Sequence, residues 1–220
     1  MFYGLNEDMY RFFWEIAFHN DASFFEPNRE RYRENVQKPL LELAAELAPT
    51  VRTLDERLNT RPSTCVSRIR RDTRYTKDKS PYRDHMWLNW RLPDTFLSEC
   101  FVLYAEFERE SYGYGMGMYA PVPPLMKQMR ERILARPEHF LSLVREPKFA
   151  ERFTLQGQPY KKMRYTEVPE EALAYVNLRS MSFCFSSDQL GNTLKPELLD
   201  ELRGAFETMK PVYRFLMGLE

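Results

Sequence analysis

The chain has 220 residues, 43% apolar and 15% aromatic, enough to bury a sizeable core and too much for a chain that stays disordered. Lysine plus arginine (32) equals aspartate plus glutamate (32), which excludes a uniformly basic nucleic-acid binder and an acidic tail protein. Arginine outnumbers lysine 23 to 9, and planar guanidinium forks favour bidentate pairing with carboxylate or phosphate.

Residues 6–18 place Met9, Phe12, Phe13 and Ile16 at helical spacing behind Asn6 as cap, with Glu7 and Asp8 in the first turn. A second helix starts near Pro27 and carries Tyr32, Val36, Leu40, Leu43 and Leu47. Pro39 is expected to kink or divide it, and Pro49 to follow its end. Residues 50–64 read as a connector with a turn or two of weak helix.

From Thr64 the period changes to two. Residues 64–71 and 85–92 are short strand candidates, and 101–109 and 112–119 are stronger ones. With a turn at Glu110-Ser111, Phe107 faces Tyr114, Ala105 faces Met116 and Leu103 faces Met118, so one face of the hairpin joins the core. On the other face Gly113, Gly115 and Gly117 stand opposite Glu108, Glu106 and Tyr104, a glycine strip beneath two carboxylates and a tyrosine. Pro121-Val-Pro-Pro starts a helix with Leu125, Met129, Ile133 and Leu134, and Pro137 starts another through about Val144. Residues 150–190 are irregular, with alternation only at 180–185. A final helix spans 196–219, bearing Leu198, Leu202, Phe206, Met209 and Tyr213, with Pro211 inside it. These elements predict one α+β domain over 1–220, in which a central, mainly antiparallel sheet carries helices from the N-terminal, middle and C-terminal segments.

Cys65, Cys100 and Cys184 are widely spaced and suit neither a disulfide framework nor a zinc knuckle. The start lacks a basic segment, and no stretch reaches the roughly 18 apolar residues of a membrane span. A cytoplasmic protein without membrane contact is expected. His19, His85 and His139 are scattered, with His85 opening a strand. No metal site, cofactor, serine elbow or cysteine–histidine pair is indicated. The run Gly113-Tyr-Gly-Tyr-Gly-Met-Gly has strand spacing and lacks the lysine-bearing turn of a phosphate-binding loop.

The densest charge lies at 68–83, where Arg68, Arg70, Arg71, Arg74, Lys77, Lys79 and Arg83 meet only Asp72 and Asp78, a local net of +5. Thr73, Thr76, Ser80 and Tyr82 add hydroxyls. The run Ser67-Arg-Ile-Arg-Arg-Asp-Thr-Arg-Tyr-Thr-Lys-Asp-Lys-Ser-Pro-Tyr82 resembles the signature R-I-x-R-D-T-R-F-S-K-D-K-S-P-Y of a widespread bacterial and fungal family catalogued as a domain of unknown function. Tyr75 and Thr76 replace the commoner Phe and Ser, keeping the ring and the hydroxyl. The resemblance extends to 24–39, 113–124 and 178–183 and is looser over 155–178. It implies an intracellular domain of mixed helix and sheet and carries no reaction, cofactor or substrate.

Because neighbouring elements usually pack together, the cations of this segment are expected to meet the glycine hairpin. The candidate ligand-binding set is Arg68, Arg70, Asp72, Arg74, Lys77, Lys79, Tyr82, Glu106 and Gly115, with Glu106 as a weak catalytic candidate and an anionic small molecule as ligand. A structural alternative is an interaction or scaffold protein whose loop is an internal ion-pair network. Nucleic acid is a weaker third option, resting on Tyr75, Tyr82 and Trp87 among the arginines. Oligomeric state stays open.

Overall fold

The computed structural model describes residues 1–74 and 77–220; Tyr75 and Thr76, with the ring and hydroxyl expected of them, lie outside the described residues. The elements are α1 (Glu7–Phe18), α2 (Ala22–Phe25), α3 (Arg29–Tyr32), α4 (Lys38–Leu54), α5 (Pro62–Cys65), β1 (Met86–Trp90), β2 (Phe101–Phe107) and β3 (Tyr112–Met118). They continue with α6 (Pro123–Ala135), α7 (Pro137–Val144), α8 (Pro147–Ala150), β4 (Thr154–Gln156), α9 (Leu173–Val176), β5 (Ser182–Ser187) and α10 (Glu197–Met217). The strands form one antiparallel sheet in the order β1-β2-β3-β5-β4, which makes the fold α+β.

Asn6 caps α1, its Oδ1 accepting from Met9 N at 2.9 Å. The break expected at Pro39 takes the form of a π-helical turn over Arg33–Gln37. Pro39 has no N–H to offer the carbonyl four residues earlier, and that carbonyl, Asn35 O, accepts from the Asn6 side chain at 3.0 Å instead. Pro49 does not end the helix: α4 runs on to Leu54. Val51 and Leu54 are fully buried and extend the apolar stripe that packs α4 on α10, so tertiary packing outweighs the missing hydrogen bond.

The sheet has two dissimilar faces. One, bearing Leu88, Trp90, Leu103, Ala105, Phe107, Tyr112, Tyr114, Met116 and Phe183, is covered by the core cluster that includes α4 and α10. Phe206 of α10 meets Trp90 edge-on at 5.2 Å, and Tyr112 and Tyr114 hand hydrogen bonds to Glu201 at 3.2 and 2.9 Å. The opposite face carries the glycines.

The hairpin register differs from expectation by two residues. Phe107 pairs with Tyr112, Ala105 with Tyr114 and Leu103 with Met116, because Glu108 N bonds Ser111 O at 2.8 Å and puts the turn at Arg109-Glu110. A shift of two preserves every side chain's face. The glycine partners become Glu106 for Gly113, Tyr104 for Gly115 and Val102 for Gly117. Residues 64–71 form no strand. They touch the sheet region through single bridges, Val66 with Leu88 and Arg70 with Tyr82, since Ser67 answers Trp87 N with its hydroxyl at 3.0 Å rather than its carbonyl.

Candidate functional site

The period of two places Trp87 and Asn89 of β1, Tyr104 and Glu106 of β2, the glycines of β3 and Ser182 and Cys184 of β5 on the uncovered face. Missing side chains on the central strand leave a trough there. A Cβ on Gly115 would come within 2.2 Å of Phe183 O and 3.1 Å of the Tyr104 hydroxyl, and one on Gly117 within 2.1 Å of Ser182 Oγ. Glycine is therefore required at both positions by close approach. The trough is a cleft of about 480 Å³, floored by the sheet and lined also by Arg71, Asp72, Arg83, Leu97, Met118 and Tyr119. Its size falls within the range of small-ligand sites, and its lining combines apolar surface with a few polar groups.

The signature segment folds back on itself beside this cleft. Arg71 N bonds Pro81 O at 2.9 Å and Arg83 N bonds Ile69 O at 2.8 Å, so 69–71 and 81–83 run as two short arms. Arg83 Nη1 spans the arms, donating to Arg68 O and Arg70 O at 2.7 Å each, while its guanidinium lies 4.7 Å above the Trp87 ring. Burial and the neighbouring Arg71 charge push Arg83 below the usual arginine range. Arg71 Nη1 is paired with Asp78.

The alternation of the arm separates the expected cations. Arg68 and Arg70 flank a different groove with Arg29 and Arg33, where Arg70 approaches Glu26 at 3.8 Å and lies 5.4 Å from the Tyr82 ring. Tyr82 is 1% exposed and stacks on Phe25 at 4.3 Å, and its N–H and C=O both bond the Asn20 side chain at 2.9 Å. Its ring thus serves the core and not the cleft. Arg74 is bidentate on Asp72 at 2.9 and 2.7 Å, Lys79 Nζ donates to Thr73 O at 2.7 Å, and Lys77 is exposed. Hydrogen bonds from Arg74 to Asp72, and from Ser80 and Arg71 to Asp78, hold both carboxyls down at about 2. Of the expected set, Asp72 and Glu106 line the cleft and Gly115 shapes its floor; Arg68, Arg70, Arg74, Lys77, Lys79 and Tyr82 do not line it.

A family model described as "Conserved hypothetical protein (DUF2461)" matches residues 8–215. The chain belongs to that family. A search of curated proteins finds no match. The family match spans the signature arms and all five strands, and so takes in every residue of the cleft.

Several cleft residues, His85, Trp87, Tyr104 and Cys184 among them, stand outside the expected set. Asp84, His85 and Glu106 form a chain: Asp84 Oδ1 lies 3.0 Å from His85 Nδ1, and His85 Nε2 lies 3.9 Å from Glu106 Oε1. Arg109 Nε reaches Asp84 Oδ2 at 3.4 Å, and the His85 ring stacks on Trp87 at 5.5 Å. Burial pushes Glu106 above the usual carboxylate range, His85 opposes that and Glu108 adds to it. Deeper in the cleft, burial raises both the Tyr104 hydroxyl and the Cys184 thiol, which share a hydrogen bond. A thiol held protonated in this way is a poor nucleophile. His85 and Trp87 were within reach of the alternation that placed Glu106, since β1 extends it by one strand; Cys184 required knowing that β5 pairs with β3.

Among the described residues no group of three or more His, Cys, Asp or Glu side chains is placed to hold a metal ion, and no helix is long and apolar enough to cross a membrane.

Proposed function

We propose that the cleft on the uncovered sheet face binds a small molecule with a flat, largely apolar body and an anionic group, carboxylate or phosphate, gripped by Arg71 and Arg83. One observation carries this reading: Arg71 and Arg83 both line the cleft, Arg71 beside Asp78 and Arg83 half-buried against Trp87 and bonded to carbonyls rather than to an acid. A guanidinium has five N–H donors, and Arg83 uses Nη1 alone for both carbonyls. An entering anion would accept from both forks. Trp87, Val102 and Leu97 supply the apolar contact.

The test is binding of phenylphosphate and phenylacetate, with benzyl alcohol as the uncharged control, followed by amide shift perturbation. Both anions should perturb Trp87, Tyr104 and Gly117, and benzyl alcohol should not. Arg71→Met and Arg83→Met should each weaken phenylphosphate by about tenfold or more, the range of a lost charged hydrogen bond. Equal affinity in wild type and both variants would sink the reading.

A second reading has its own support. Arg70, Arg71, Arg74, Lys79 and Arg83 each have a carboxylate or carbonyl acceptor within the chain, as a scaffold whose loop is a crosslink requires. Under that reading the same variants lower the unfolding midpoint and no anion binds.

A further inference from the structure

The Asp84–His85–Glu106 chain opens onto the cleft, which suggests chemistry in addition to binding. We propose that His85 and Glu106 form an acid–base pair that tautomerises a planar, carbonyl-containing anion bound in the cleft, with Asp84 as the residue that positions His85. The proposal rests on the anion-cleft reading and deepens it.

The geometry assigns the roles. In the tautomer that donates Nδ1–H to Asp84, 3.0 Å away, His85 presents Nε2 as the lone pair. Stacking on Trp87 at 5.5 Å fixes the ring plane, and Arg109 at 3.4 Å anchors Asp84 from the hairpin turn. Nε2 therefore faces Glu106 Oε1 at 3.9 Å, and Trp87 and Glu106 are direct cross-strand partners. Burial favours a proton on Glu106. A carboxyl whose neutral form burial favours thus stands beside an imidazole nitrogen, the two kinds of group that a general acid and a general base require. Charged groups around the pair include Asp84 and Arg83 from the arm leading into β1, Glu108, Arg109 and Glu110 from the turn after β2 and Asp188 after β5, with Arg71 and Asp72 in the same cleft.

Both groups occupy one wall, side by side, which suits transfer between two positions on one face of a flat ligand. His85 Nε2 takes a proton from the carbon next to the carbonyl, the C–H electron pair becomes a C=C bond, and the carbonyl oxygen takes the proton of Glu106. The imidazolium then returns its proton to the Glu106 carboxylate. Atoms and charge balance within the substrate and the pair, so no oxidant, water or cofactor enters. Arg71 and Arg83 hold the anionic end while the carbonyl faces Glu106.

Phenylpyruvate provides the probe, because it has an aromatic body, a carboxylate and exchangeable methylene protons beside a carbonyl. Loss of the methylene proton signal in deuterated buffer at neutral pH measures enolisation, and broadening of the ring signals measures binding in the same tube. Wild type should exchange faster than buffer. His85→Gln and Glu106→Gln should each slow enzyme-dependent exchange by roughly a hundredfold, the lower range for general acid–base catalysis. Asp84→Asn should lower the exchange rate at saturation and leave phenylpyruvate affinity unchanged, which a merely structural residue would not do. Unfolding curves of all three variants establish that they fold, and His85→Asn replaces His85→Gln if the latter does not. Bound phenylpyruvate that exchanges at the buffer rate overturns the acid–base assignment and leaves the anion cleft standing. Absence of binding overturns both. Wild-type exchange in Asp84→Asn overturns the positioning role alone.

Discussion

The two faces of the sheet are built from the same strands and differ in what the strands present. On the covered face Trp90, Phe107, Tyr114 and Phe183 are fully or almost fully buried, and α10 meets this face through Phe206 on Trp90 and Glu201 on Tyr114. On the uncovered face the central strand presents Gly113, Gly115 and Gly117, and their neighbours are Trp87, Tyr104, Glu106 and Cys184. One face fills its volume with side chains; the other removes side chains from the middle and keeps polar groups at the edges. A period of two lets a single run such as Tyr-Gly-Tyr-Gly-Met-Gly-Met serve both.

Four substitutions probe that contrast. Phe206→Ala removes the ring packed on Trp90 and should cost about 3–5 kcal/mol in chemical denaturation through a cavity that α10 cannot close. A loss below about 1 kcal/mol would mean that the covered face is not close-packed. Gly115→Ala tests the opposite defect, crowding: with Phe183 O at 2.2 Å from the new Cβ, the β3–β5 ladder must shift, at about 1–3 kcal/mol. Its Trp87 fluorescence should change as well, whereas that of Phe206→Ala should change at Trp90.

Glu106→Gln has a smaller effect of opposite sign. Burial raises the folded-state value of Glu106, so the favourable contribution of its neutral form is complete below the unfolded carboxylate value and is lost as pH rises through the folded one. Glutamine does not ionise. The variant should therefore unfold at a higher midpoint than wild type at pH 7, and the gap should close near pH 4, around the ordinary glutamate value. A lower midpoint at pH 7 would mean that His85 holds the ionised form more strongly than burial opposes it. The smallest effect belongs to Asp72→Asn. Its pair with Arg74 is exposed, and replacement should leave the midpoint at pH 7 unchanged within measurement, because exposed pairs contribute little. A clear drop would place the outer loop with the architecture of the covered face.

The cleft was half legible. Glu106, Tyr104 and the glycine strip shared a face on alternation alone, and the two-residue error in register left that face intact. Arg71 and Arg83 were not separable from five other cations, because a dense charge run does not say which side of the backbone each guanidinium takes. The bridge between Arg70 and Tyr82 decides it, sending Arg68 and Arg70 toward Arg29 and Arg33 while Arg71 and Arg83 line the cleft. Pro49 misled for a related reason: a local rule about proline ignores Val51 and Leu54, whose burial holds the helix together beyond it.

By itself the sequence determined the α+β class, the extent of α1 and α7, the strands of the hairpin and the division of their residues between two faces, since each follows from periodicity and capping within a few residues. Tertiary structure alone decided the turn at Arg109-Glu110, the approach of β5 that brings Cys184 beside Tyr104, and the fold-back of the signature that sets Arg83 on Trp87. Those features join residues far apart in the chain, and their geometry comes from packing and hydrogen bonds that no local pattern encodes. The zero net charge had the same limit: it fixed the sum of the charges, and the fold chose which two arginines line the cleft, Arg71 paired with Asp78 and Arg83 with backbone carbonyls.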